Sequence, residues 1–112
     1  MRYLLLLCSD VDSGGTGEMP GCGGWTEELL RSGVLTDVAG LRPPDTATSV
    51  RVRGDQVLLT DGPFAETKDQ IGGFSVLECA DLDEAVRLAA AHPWAGYGQI
   101  EIRPIADGLG RP

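Results

Sequence analysis

Asp61 closes the apolar run Val57-Leu58-Leu59-Thr60 and stands directly before Gly62-Pro63. A carboxylate there has two uses. It can accept the backbone N–H groups of a tight bend that Pro63 fixes. It can also act as a general base, or orient a ligand, at the mouth of a cavity. Glu66 and Lys68 follow on a polar stretch and would flank it. As a solvated pair they contribute little energy; as part of a site, Lys68 suits an anionic substrate group. Arg51, Arg53 and Arg103 carry planar guanidinium forks that can clamp a carboxylate or a phosphate. Glu101 shares a strand face with Arg103, so a cross-strand ion pair is the simpler use of these charges. The single histidine, His92, ends a helical stretch. There the helix dipole favours its charged form, and capping is a simpler role than catalysis. A pocket between Asp61 and His92 is the arrangement in which the two would act together.

Other chemistry is sparse. Cys8, Cys22 and Cys79 are an odd number with no close pair, which reads as reduced thiols in a cytoplasmic protein. Cys8 and Cys79 fall on strands and belong in the core. Cys22 lies among glycines and is the thiol most open to reaction, but the nearest base in sequence is Arg31. One histidine and no Cys-x-x-Cys argue against zinc. Neither a metal nor an organic cofactor is implied. Trp94 and Tyr97, after Pro93, can wall a pocket or anchor a loop.

The elements that must hold these residues follow from periodicity. Residues 3–8 are an unbroken apolar run ended by Ser9-Asp10, the mark of a strand buried on both faces. Residues 9–24 hold seven glycines or prolines and read as a loop. Trp25 to Ser32 predicts a short helix with Gly33 as its stop. Val34 to Leu41 is extended. A hairpin follows, with strands at 48–53 and 56–60 and a Gly54-Asp55 turn. Residues 65–71 form a polar connector, and Gly72-Gly73 lead into a strand at 74–79. Asp81 to Ala91 is the clearest helix. Asp81 and Glu84 have capping-box spacing, and Leu82, Ala85, Val86 and Ala89 form a stripe. A last strand spans 99–105.

That order predicts one α+β domain over residues 1–112: a ferredoxin-like antiparallel sheet with two helices on one face. Two helices cover one side only, yet the first strand is apolar at every position. A second copy is the simplest cover, so a homodimer with sheets face to face is expected. Arg51, Arg53, Glu101 and Arg103 would then sit near that interface or line a cavity. Length and charge bound the rest. A chain of 112 residues and 11.8 kDa is one domain, and 17 acids against nine bases leave −8. An excess of acid disfavours nucleic acid and anionic membrane surfaces. The apolar run at the N-terminus is too short for a secretion signal, and no segment has the length of a membrane span.

Thr60-Asp61-Gly62-Pro63-Phe64-Ala65-Glu66-Thr67-Lys68, followed by Gly72-Gly73-Phe74, resembles the signature of the DGPF proteins of the YCII-related superfamily. Tyr3-Leu4-Leu5-Leu6, Trp25 with Gly33-Val34-Leu35, Asp81-Leu82-Asp83-Glu84-Ala85 and Glu101-Ile102-Arg103-Pro104 are similar to that family in order and spacing. The resemblance implies a dimeric α+β barrel. Most DGPF members have no assigned activity, and many are encoded beside extracytoplasmic-function sigma factors. It therefore implies a homodimer in a small-molecule-binding or regulatory role. More distant relatives act on small ring compounds with a paired His and Asp. In this chain Gly23, Gly24 and Trp25 fill the stretch where that histidine is expected. The alternative is a cofactor-free isomerase, lyase or hydrolase that uses Asp61 in the barrel cavity.

Overall fold

The longest apolar strand sits in the middle of the structure. In the computed structural model, which describes residues 1–10, 23–62 and 69–106, β1 (Arg2–Asp10) pairs antiparallel with both β5 (Asp69–Glu78) and β6 (Gln99–Pro104). The strand β2 (Leu35–Gly40) pairs with the far side of β5, giving the order β2-β5-β1-β6. In that order β1 and β2 run parallel with β5 between them, and β5 and β6 run parallel with β1 between them. This is the ferredoxin-like arrangement the sequence predicts.

The helices α1 (Gly23–Ser32) and α2 (Leu82–Ala90) make the crossovers and cover one face. Tyr3, Leu5, Leu35 and Leu77 point to that face and pack with Leu29, Cys79, Ala85 and Ala89 as the core. Asp81 caps α2: its carboxylate accepts the Glu84 N–H at 2.9 Å, and the Glu84 carboxylate accepts the Ala80 N–H at 2.9 Å. That reciprocal pair satisfies two donors at the helix start. Gly33 ends α1 at φ +82°, a conformation that side chains disfavour.

Three details differ from the sequence reading. The α2 stripe is rotated: Ala85 and Ala89 are buried, while Leu82 and Val86 are 50% and 47% exposed. Small side chains let the helix lie close to the sheet, and the larger pair turns outward. The strand β5 begins at Asp69, well before Phe74, because Gly72-Gly73 do not interrupt it. A Cβ on Gly73 would lie 2.9 Å from the Ala39 carbonyl oxygen, so glycine permits the close approach of β2. After His92-Pro93 the chain makes one further helical turn, α3 (Trp94–Tyr97).

The hairpin of β3 (Thr48–Arg53) and β4 (Gln56–Asp61) forms a separate two-stranded sheet, turned by Gly54 at φ +61°. Arg51 and Arg53 therefore do not share the main sheet's face with Glu101 and Arg103. Gly98 sits against the Cys8 carbonyl, and a Cβ there would also lie 2.9 Å from the Trp94 indole nitrogen. Neither backbone nor indole can give way easily. Gly98→Ala is expected to cost about 2 kcal/mol or more and to lower Tm measurably in a thermal melt. Gly24→Ala, in open space on α1, leaves Tm unchanged or higher.

Candidate functional site

Cross-strand register shows what the helix-free face of the sheet presents. Residues directly opposite one another project to the same side. One row runs Ala39, Phe74, Leu6, Glu101 across β2, β5, β1 and β6. The next runs Asp37, Val76, Leu4, Arg103. Each row is apolar in the middle and charged at an edge. Leu4, Leu6, Phe74 and Val76 are half-buried although no helix covers them. At the β6 edge the Arg103 guanidinium donates to the Glu101 carboxylate at 3.2 Å along the same strand. Asp37, at the β2 edge, accepts the N–H of Val38 at 2.9 Å.

The residues singled out by type are scattered. Asp61 is exposed at the end of β4, opposite Thr48. Its neighbour Gly62 makes the turn, with φ +98°, its N–H donating to the Ala47 carbonyl at 2.7 Å and its carbonyl accepting the Ser49 hydroxyl at 2.8 Å. Arg51 is exposed on the hairpin, opposite Leu58. Glu66, Lys68 and Cys22 lie outside the described residues, as do positions 63–68 of the resemblance block and most of the glycine-rich segment. Cys8 and Cys79 are buried, as their strand placement predicts.

His92 departs most from its expected role. It is 3% exposed. The Trp25 ring meets it edge-on, with ring centroids 4.5 Å apart. Its Nδ1 accepts the Trp94 backbone N–H at 2.9 Å. Trp25 donates its indole N–H to the Leu88 carbonyl, and Trp94 donates to the Cys8 carbonyl, each at 2.9 Å. Burial therefore pulls the imidazole pKa below its ordinary value and favours the neutral form, opposite to the dipole argument. Trp94 is 5% exposed and anchors the connection between α2 and β6.

Sequence reasoning missed Asp37, Phe74 and Val76 as members of a face. Only the pairing of β2 with β5 could reveal them. It also missed the grouping of Trp25, His92 and Trp94, which join residues from distant parts of the chain. A shallow groove of about 410 Å³ runs between α2 and β6, lined by Val86, Ala89, Ile100 and Ile102 among others. Among the described residues no group of three or more His, Cys, Asp or Glu could hold a metal, and no helix is long and apolar enough to cross a membrane.

A model of the YCII-related domain matches residues 1–107. The chain belongs to the YCII-related family. It is 41% identical over 83 residues to an uncharacterized protein of Rhizobium meliloti (strain 1021), a match covering 70% of this chain and 65% of that protein. The chain thus spans just under two thirds of that relative's length. The family match agrees with the fold and leaves the activity unassigned.

The buried imidazole gives a pH dependence of defined sign. His92 protonates more readily unfolded, near its ordinary pKa of about 6.5, than folded. Its contribution is fully present above that value and declines as pH falls below it. His92→Asn keeps an acceptor for the Trp94 N–H and removes the titration. The expected result is a Tm that drops less between pH 7.5 and pH 5 in the variant than in the parent. Equal drops in the two would contradict the assignment.

Proposed function

We propose that this YCII-related chain works as a homodimer whose two sheets face one another and hold a small organic molecule between them, in a binding or regulatory role. The observation that supports this reading is the pair of cross-strand rows. Leu4, Leu6, Phe74 and Val76 form an apolar centre, with Asp37 at one edge and the Glu101–Arg103 pair at the other. A face of this composition loses free energy when it leaves water. Two such faces opposed leave an apolar slot with charged rims. A flat apolar ligand fits the centre, and a polar substituent fits the rim. No cofactor is invoked.

A binding role suits the geometry better than the enzymatic alternative. Asp61 and Arg51 stand on the exposed hairpin, and His92 is buried against Trp25, so the described residues do not bring an acid–base pair together at this face. Native mass spectrometry tests the reading, because it reports stoichiometry and retained ligand together. A dimer carrying a defined extra mass is expected. Leu6→Lys should abolish both the dimer and the extra mass while the far-ultraviolet spectrum stays that of the parent. An empty dimer would remove the ligand from the account, and a monomeric parent protein would overturn it.

A further inference from the structure

The hairpin β3–β4 poses a separate problem of exposure. Val50 faces Leu59, and Val52 faces Val57, so four aliphatic side chains share one of its sides. Their exposures are 61%, 68%, 58% and 64%. Isolated two-stranded hairpins are marginally stable in water, because one apolar face has nothing to pack on. This hairpin is tied down at its base, where Gly62 bonds to Ala47 and Ser49. Its shape is also unusual for a small domain. The radius of gyration is 15.8 Å, against about 13 Å for a compact chain of this length.

We propose that β3–β4 is an arm that lays its Val50, Val52, Val57 and Leu59 face onto a second copy of this chain. The proposal rests on the homodimer reading above and names what the hairpin does in it. Charge supports this choice of occupant. The hairpin holds two arginines and two aspartates, so residues 48–61 are neutral and the whole −8 lies on the rest of the chain. Bodies of like charge repel, and the neutral arm is the part that can approach a second body without that repulsion. Arg51 and Arg53 project from the arm's other side. Symmetry supports it as well. Among the described residues two apolar surfaces lack cover, the sheet face and the arm, and a symmetric partner brings a copy of each.

The variant that separates this from the sheet contact is Val50→Lys with Leu59→Glu. The two positions are directly opposite, so the new charges pair across the strands and keep the hairpin itself intact. In the dimer they would be forced into an apolar contact. Sedimentation equilibrium on the full chain should show the dimer dissociation constant raised at least about hundredfold. Hydrogen exchange in the parent protein should slow across residues 48–61 above that constant and speed up below it. A variant that dimerises as tightly as the parent, with hairpin exchange independent of concentration, would overturn the arm and leave the face-to-face sheets standing. That outcome also covers an arm meant for a different protein. A parent protein that stays monomeric would sink both readings at once.

Discussion

The architecture depends on one central strand that is apolar on both faces. β1 is central, with hydrogen-bonded neighbours on both sides, and it alternates nothing: Tyr3, Leu5 and Leu7 point under the helices, while Leu4 and Leu6 point away from them. A ferredoxin-like sheet has only two crossover helices, and both lie on one side. Leu5 and Leu7 are essentially inaccessible, and burial of each contributes on the order of 2 kcal/mol. Leu4 and Leu6 gain only part of that from their neighbours in the sheet. The sequence therefore contains an unfinished packing requirement, and the homodimer reading is the simplest way to finish it.

Much of this was legible before any coordinates. The unbroken run at 3–8 marks the central strand, Asp81 with Glu84 marks a helix start, and Gly33 and Gly54 mark reversals that need positive φ. These signals are local, so a reader of one segment can see them. Non-local facts were not legible. Which side of α2 turns inward depends on how close the helix approaches the sheet, and alanines rather than Leu82 and Val86 decide that. The start of β5 depends on β1 extending to Asp10 and pairing with it. The hairpin's separation from the main sheet is a matter of which strands pair, and periodicity within a strand contains no such information.

The candidate site was legible to a smaller degree. Arg103 with Glu101 was visible as a potential pair, and the structure forms it within one strand. Asp37, Phe74 and Val76 became a surface only through register. His92 shows why a chain end cannot be read from the dipole alone. The imidazole sits at a helix C-terminus, but it is buried against the Trp25 ring, and desolvation outweighs the field. Both indole N–H groups are used on backbone carbonyls, so Trp25 ties α1 to α2 and Trp94 ties α3 to β1.

The central claim is that the Leu4, Leu6, Phe74 and Val76 face meets a second copy. Methyl-resolved nuclear magnetic resonance with a soluble paramagnetic agent tests it most directly. The account predicts that the methyls of Leu4, Leu6 and Val76 resist broadening, while those of Leu82 and Val86, exposed on α2, broaden strongly. Equal broadening of the two sets at high protein concentration would contradict it, because the sheet face would then be open to water.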